Sequence, residues 1–256
     1  MWKEMYDNSE HVRVTFWKLP KHLEQAQRAE SVELNKIIIN IWREKLVKIL
    51  DIGIWDARVL KNIFELPELY NKIEKYIWID VAQNCIDISK STIIENDRSS
   101  KAKAILSNAK DIDKLESLYD LIICTWFTAG NFYPSNYNIY EYQKDFDLSK
   151  NDNFTEIFYK AYNKLNKWGK IVIWSVYKDN DSTRLIQEQA YKYFWRDIVS
   201  QPSDSFTASK DWRRSLRFTE KRIKNYLPFI SPEQIEFIPL DAYDFAMMVV
   251  INKSNL

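Results

Sequence analysis

The 256-residue sequence is long enough for one large domain, and its 46% hydrophobic and 15% aromatic residues suffice for a packed core. Its 37 lysine and arginine residues nearly balance its 36 aspartate and glutamate residues, so we expect no broad basic surface and no nucleic-acid partner. With two histidines, and two cysteines that lack metal-ligand spacing, the composition predicts neither a metal site nor a disulfide framework.

Residues 1–45 precede the first predicted core strand, and their apolar residues follow two helical patterns. We therefore expect an N-terminal helical cap over residues 1–45, packed on an α/β domain of residues 46–256. The first residues are charged and do not form the apolar run of a signal peptide. No stretch reaches the roughly 18 uncharged apolar residues of a membrane span. These features predict a cytoplasmic protein without a membrane partner.

From residue 46 onward, β-rich runs alternate with helical patterns, which indicates a parallel sheet with crossover helices. A helix after residue 53 is predicted to end at Pro67. A final pair of strands with a short connection predicts an antiparallel C-terminal hairpin. Strands are predicted at residues 48–52, 76–80, 102–106, 119–124, 170–175, 234–238 and 245–252, and further helices at about 83–94, 113–118, 154–165, 183–195 and 220–227.

Two segments, at about 126–153 and 196–217, are predicted to be insertions, the second of them polar and basic. The first is longer than an ordinary connection, and such loops are usually lids, binding loops or disordered. The first holds Tyr133 and three further tyrosines, which could wall in an acceptor or pack against the N-terminal helices. The second holds the basic pair Arg213 and Arg214, which could clamp a carboxylate or phosphate or belong to a solvated loop.

The end of the first strand carries a motif suited to nucleotide chemistry. Asp51 and Gly53 lie at the point where the strand gives way to a helix. A ligand of such a fold sits beyond the carboxyl end of the strand, and glycine permits positive φ and a close approach of the backbone. The next residues, Ile54 to Ala57, contain no glycine, although a glycine-rich turn is usual here.

Polar residues also end the second and third strands. Asp80 and Val81 follow the second strand, and the carboxylate could accept hydrogen bonds from ribose hydroxyls or cap the next helix. Asn108 and Ala109 follow the third strand. Asn108 carries an amide oxygen that can accept a hydrogen bond, or the segment could be an ordinary solvated turn.

The fourth strand ends in Cys124 and Thr125, and a Gly-Asn pair that includes Asn131 follows. Cys124 has no histidine nearby in the sequence, so we expect a small buried residue and no nucleophile. The Gly-Asn pair could contact a substrate or form a plain turn.

In their order and spacing, these motifs resemble the class I S-adenosylmethionine-dependent methyltransferases of the small-molecule type, with a degenerate glycine-rich loop. The resemblance covers about residues 45–252 and implies a Rossmann-like fold, which is α/β, doubly wound, and built on a mostly parallel seven-stranded sheet with an antiparallel C-terminal hairpin. It also implies S-adenosylmethionine as cofactor. The cofactor-binding residues that it implies are Tyr6, Asp51, Gly53, Asp80, Val81, Asn108, Ala109, Cys124 and Thr125. In this resemblance, Asn108 lies beside the adenine and accepts a hydrogen bond from its amine.

The same resemblance implies a methyl group transferred to nitrogen or oxygen of a small molecule. Substrate contacts are expected from Asn131, by the family's Gly-Asn pair, and from Tyr133, Arg213 and Arg214. No catalytic base is identified, and the sequence gives no oligomeric state. The degenerate loop motivates a second hypothesis, in which the chain is an inactive methyltransferase-fold binding or partner subunit.

Overall fold

The computed structural model describes the sheet and the helices that cover it. The described residues are 31–40, 46–53, 59, 63, 66–95, 100–124, 127–138, 140–144, 146–193, 195–211, 214–240 and 244–254. Of the predicted N-terminal cap, only the helix at residues 31–40 lies among them.

The described residues form nine strands: β1 (Val47–Ile52), β2 (Ile73–Asp80), β3 (Ala102–Leu106), β4 (Tyr119–Cys124), β5 (Leu165–Lys178), β6 (Phe206–Ala208), β7 (Arg214–Phe218), β8 (Ile235–Pro239) and β9 (Ala246–Asn252). Their α-helices are α1 (31–40), α2 (Pro67–Asn71), α3 (Gln83–Glu95), α4 (Asp152–Asn163), α5 (Asp181–Tyr193) and α6 (Glu220–Tyr226). Short 3₁₀ helices cover Ala109–Lys114, Thr128–Asn131 and Pro232–Gln234.

The sheet confirms the predicted doubly wound α/β class. Strands β3, β2, β1, β4 and β5 lie side by side and are parallel, and β9 pairs antiparallel with both β5 and β8. These are the seven strands predicted from the sequence. The predicted total of seven is nevertheless wrong, because the hairpin β6–β7 joins β5 through β7 and brings the sheet to nine strands.

Pro67 also begins α2, since its fixed φ and missing N–H suit the first turn of a helix, and Leu66 before it is already extended. Two local expectations need correction. The helix predicted at 113–118 is a 3₁₀ helix at Ala109–Lys114. The insertion at 196–217 is not merely a polar loop, because it contains β6 and most of β7.

Side chains on both faces of the sheet are buried, which explains the continuous apolar run of β4. All six residues of β4 are buried. One face packs Ile49, Trp78 and Leu121 together with Ile38 of α1. The other face is covered by α4 and α6, which contribute Phe158 and Tyr226 among others.

Helix capping follows the sequence where side chains are described. The Thr219 hydroxyl accepts a hydrogen bond from the Arg222 backbone N–H at 3.1 Å and so caps the start of α6. In the described part of the chain, no helix has the length and apolar character needed to cross a bilayer. The same residues include no cluster of histidine, cysteine or acidic side chains that could hold a metal ion.

Candidate functional site

The register of the parallel strands brings the predicted motifs to one edge of the sheet. Ile52 pairs with Ile79 on one side and with Cys124 on the other, and Asp80 pairs with Leu106. The carboxyl ends of β1, β2, β3 and β4 therefore meet. This is the edge at which open α/β sheets bind ligands.

Asp51 lies just below this edge, within the core. Its side chain is 1% exposed, and its Oδ2 accepts a hydrogen bond of 2.8 Å from the Tyr76 hydroxyl. Burial, followed by the electrostatic effect of Asp51, raises the pKa of Tyr76 well above its ordinary value. The phenol therefore keeps its proton and stays a hydrogen-bond donor.

Gly53 has φ of +79°, which confirms the expected left-handed turn directly after β1. Its backbone N–H donates to the Ile79 carbonyl at 3.0 Å, which fastens the turn to β2. A Cβ built on Gly53 would lie 2.4 Å from Thr128 Oγ1. The close approach that requires glycine is thus made by Thr128, which is part of the segment after β4.

Asp80 and Val81 stand between β2 and α3. Asp80 Oδ1 accepts a hydrogen bond of 2.9 Å from the Ala82 backbone N–H, so the carboxylate does cap the turn into the helix. A carboxylate offers about four lone-pair sites, so this bond does not exhaust its accepting capacity. Val81 is partly buried beside it.

Asn108 and Ala109 follow β3 at the same edge. Asn108 is exposed, and its Oδ1 accepts a hydrogen bond of 2.9 Å from the Lys110 backbone N–H, which caps the 3₁₀ helix. Ala109 is buried. The capping role of Asn108 is therefore established, and its predicted contact with an adenine remains a prediction.

Cys124 ends β4 and is fully buried, as expected for a small core residue. Burial, with a smaller contribution from the Asp51 carboxylate, raises the pKa of its thiol far above the ordinary range. A thiol that stays protonated is a poor nucleophile. Among the other predicted site residues, Tyr6, Thr125 and Arg213 lie outside the described residues, as does the segment 54–57.

The segment after β4 is held against its neighbours on two sides. Phe127 has a left-handed backbone (φ of 53°) and stacks on Tyr177 of β5, with ring centroids 3.8 Å apart and planes 7° from parallel. Thr128 packs on Gly53. Asn131, the predicted substrate contact, ends the 3₁₀ helix and is partly buried.

The hairpin β6–β7 stands over the carboxyl end of β4. One edge of β5 is occupied at Tyr177, which pairs with Ala246 of β9. Tyr177 also pairs with Arg217 of β7, so β7 must lie along the other edge of β5. Strand β4 pairs with that same edge of β5 as far as its last residue, Cys124, which lies opposite Ile173. Strand β7 therefore occupies the edge of β5 beyond the point where β4 ends. We call β6–β7 the cap hairpin.

Tyr133 and Arg214 join the two insertions. The Tyr133 hydroxyl donates to the Arg214 carbonyl at 2.8 Å, and the Arg214 guanidinium donates to the Tyr137 hydroxyl at 3.1 Å and to the Ser209 carbonyl at 2.6 Å. Arg214 is 2% exposed, so the alternative of a solvated loop is wrong for this residue. Its predicted contact with a substrate stays a prediction.

A buried guanidinium that was not predicted as a site residue anchors the cap hairpin. Arg217 is 2% exposed and pairs with Asp179, just beyond β5, at 3.3 Å. It also donates to Gln187 of α5 and to Thr207 of β6. Arg222 of α6 pairs with the same Asp179 at 3.0 Å.

A cavity of about 310 Å³ lies where the two insertions approach α6. Asp204 in its wall is buried and accepts a hydrogen bond from the Tyr142 hydroxyl at 2.7 Å. Of the predicted substrate residues that the structure describes, none lines this cavity. Its lining residues are Phe146, Asp147, Leu148, Ser149, Ser203, Asp204, Ser205, Phe206 and Arg222.

The sequence motifs did not identify four residues of this region as site residues. These are Tyr76, Thr128, Tyr177 and Arg217, the last of which anchors the cap hairpin. The period-two pattern of β2 does place Tyr76 on the same face as Trp78. It does not reveal that β1 brings Asp51 within hydrogen-bonding distance. Without the strand order, the sequence could not show that Thr128 contacts Gly53 or that Tyr177 stacks on Phe127.

Comparison of the chain with protein-family models and with curated protein sequences gave no match. Comparison with solved structures did. An S-adenosylmethionine-dependent methyltransferase from Clostridium acetobutylicum superposes with a TM-score of 0.60 at 10% identity, covering 98% of this chain and 99% of the other.

Two further structures agree. The CcbJ methyltransferase from Streptomyces caelestis gives a TM-score of 0.61 at 10% identity, covering 98% of both chains. The magnesium protoporphyrin IX methyltransferase from Synechocystis, solved with bound S-adenosylhomocysteine, gives 0.57 at 8% identity, covering 99% of this chain and 98% of the other. The fold is therefore that of the class I S-adenosylmethionine-dependent methyltransferases.

Proposed function

We propose that this protein is an S-adenosylmethionine-dependent methyltransferase that acts on a small molecule, at nitrogen or oxygen. The observation that carries the proposal is the meeting of Asp51, Gly53 and Asp80 at the carboxyl edge of a methyltransferase-type sheet. Adjacent parallel strands lie about 4.8 Å apart. Asp51 and Asp80 come from these adjacent strands, two register positions apart, so that two carboxylates and a left-handed glycine suit one ligand with an ammonium group and ribose hydroxyls.

The residues present fit the cofactor in their chemistry. Asp80 would accept hydrogen bonds from the ribose hydroxyls while it caps the turn into α3. Asp51 would meet positive charge on the amino-acid part. Val81, Asn108 and Ala109 would flank the adenine, and Cys124 would contribute apolar surface. Tyr6 and Thr125 complete the proposed set.

When bound, S-adenosylmethionine supplies an electrophilic methyl group on sulfur. The protein then has to align the acceptor with that group and exclude water. The cap hairpin and the segment from Phe127 to Asn131 lie beyond the carboxyl end of β4, where they can do both. A general base is needed only for an acceptor that must lose a proton.

The acceptor would bind between these two elements. Asn131 is the proposed contact for an amino or hydroxyl group, with Tyr133, Arg213 and Arg214 on the side of the insertions. Tyr133 and Arg214 are already joined by a hydrogen bond, so their contribution is to hold the insertions together as one wall. The cavity beside Asp204 and Arg222 offers room for a larger polar acceptor.

The experiment is a titration of the purified protein with S-adenosylmethionine and S-adenosylhomocysteine by calorimetry. We expect binding of both, and we expect Asp80→Asn to weaken it by about 1–3 kcal/mol, which is the loss of a hydrogen-bonded charge. Asp87→Asn is the matched control, because this exposed α3 carboxylate accepts a hydrogen bond only from Gln83 among the contacts described.

The outcomes separate the two hypotheses. If neither compound binds at millimolar concentration, the methyltransferase proposal is wrong. If S-adenosylmethionine binds but no methyl group is transferred to any of a panel of small amines and alcohols, the alternative of an inactive binding or partner subunit is favoured. An unchanged affinity in Asp80→Asn would withdraw the ribose role of Asp80.

A further inference from the structure

Asp51 and Tyr76 form a buried polar pair directly beneath the turn at Gly53. Each side chain is 1% exposed, and the Tyr76 hydroxyl donates to Asp51 Oδ2 at 2.8 Å. The two residues come from neighbouring strands, β1 and β2, and lie on the face of the sheet that also holds Trp78. A contact of this kind is not part of the glycine-rich motif from which the site was predicted.

The position of the Tyr76 hydroxyl is fixed by packing. The Tyr76 ring lies against the Trp78 ring, with centroids 4.7 Å apart and planes at 52°. The Tyr76 backbone N–H donates to the Lys101 carbonyl at 2.8 Å. Tyrosine has two side-chain torsions, and both are restrained in a close-packed interior. The hydroxyl is therefore a preorganised donor, which costs little entropy when a ligand binds.

A hydrogen bond to a carboxylate is among the stronger ones in proteins, and it restricts rotation of the carboxylate plane. The cofactor's amino-acid part carries an α-ammonium group, whereas its nucleoside part carries no amine cation. Charge complementarity thus matches Asp51 with the amino-acid part.

We infer that Tyr76 is a positioning residue for the cofactor, whose hydroxyl holds the Asp51 carboxylate in the orientation that receives the α-ammonium group. This inference rests on the proposed function, because it requires that S-adenosylmethionine binds at this edge. It predicts that Tyr76 contributes to the affinity only for ligands that carry the amino-acid part of the cofactor.

The test uses two ligands that share a nucleoside and a thioether. S-adenosylhomocysteine has the amino-acid part, and 5′-methylthioadenosine lacks it. For Tyr76→Phe we expect the affinity for S-adenosylhomocysteine to fall roughly three- to tenfold, which is the effect of one hydrogen bond, while that for 5′-methylthioadenosine stays within about twofold.

Tyr226→Phe is the matched control. Its hydroxyl is equally buried and donates to the Leu148 carbonyl in the core on the opposite face of the sheet. We expect its stability to fall comparably and its affinity for both ligands to stay unchanged. Should Tyr76→Phe not fold, Asp51→Asn replaces it, since it keeps the shape of the side chain and should show the same selective loss.

Three results would be decisive. If the unaltered protein binds neither ligand, the proposed function itself fails. If it binds both and Tyr76→Phe, or Asp51→Asn in its place, weakens both equally, the residue is merely structural and the inference is overturned. An unchanged affinity for S-adenosylhomocysteine in the variant overturns it as well.

Discussion

At the scale of single residues, Gly53 shows how one position joins two parts of the site. Its φ of +79° lies in the region that L-residues with a Cβ avoid. The space that a Cβ would need is filled by the Thr128 side chain. Glycine is therefore required here twice, for the backbone turn after β1 and for the contact with the segment after β4.

Gly53→Ala is expected to lower the free energy of unfolding by about 2–4 kcal/mol, because the positive φ and the contact with Thr128 each carry a cost. Urea denaturation measures the effect. Gly130→Ala is the control, since the new Cβ would lie 3.8 Å from its nearest neighbour and should change stability by about 1 kcal/mol or less. Adding Thr128→Gly to Gly53→Ala should restore the steric part only, and full recovery would contradict the role of φ.

At the scale of elements, the cap hairpin is attached to the sheet by a strand pairing of two residue pairs and by one buried guanidinium. Strand β7 pairs with β5 only at Tyr177 and Lys178. Arg217 then links β7 to Asp179 just beyond β5, to Gln187 of α5 and to Thr207 of β6. Burial lowers the pKa of Arg217, and the neighbouring Asp179 opposes this effect.

Arg217→Met is expected to destabilise the protein by about 3 kcal/mol, because it leaves buried hydrogen-bonding groups around the methionine unpaired. Chemical denaturation followed by circular dichroism measures the loss. Lys114→Met is the control: this exposed lysine pairs with Asp111 at the surface, so its loss should cost much less than that of Arg217. Equal losses in the two variants would contradict the anchoring role of Arg217.

The cap hairpin also marks where prediction from sequence failed. Strands β1 to β4 appear in the sequence as β-rich apolar runs because parallel strands are buried on both faces. In β7, two of the five residues are arginines, and their burial depends on partners that come from the turn after β5, from α5 and from the first insertion. A local pattern of polar residues therefore predicts a solvated loop.

At the scale of the whole molecule, two carboxylates accept local hydrogen bonds that hold the first insertion in its conformation as far as the start of α4. Hydrogen bonds from Ser149 hold the pKa of the Asp147 carboxyl below its ordinary value, and those from Ser135 do the same for Asp152 at the start of α4. A carboxyl group whose pKa is lower in the folded state than in the unfolded state stabilises the fold at pH values above its unfolded-state pKa. That contribution is lost as the pH falls through the folded-state pKa.

We accordingly expect a melting temperature that declines as the pH is lowered below about 4, where these carboxylates take up protons. Scanning calorimetry between neutral pH and pH 3 measures it. The variant Asp147→Asn/Asp152→Asn should be less stable at neutral pH and show a shallower decline. Parallel curves for the two proteins would indicate that other groups control acid unfolding.

The sequence by itself determined the α/β class, the positions of seven strands along the chain and the residues that follow each of them. These depend on local causes, namely apolar runs long enough for buried strands and turn residues at their ends. The positive φ of Gly53 and the buried state of Cys124 were predictable for the same reason.

Only the tertiary structure decided which side chains meet. Asp51 and Tyr76 are brought together by the pairing of β1 with β2, and Gly53 and Thr128 by the pairing of β1 with β4. Hydrogen bonds and close packing act over a few ångströms, so contacts between residues 25 or 75 positions apart depend on strand order and register. Those contacts determine how the carboxyl edge of this sheet can hold a ligand.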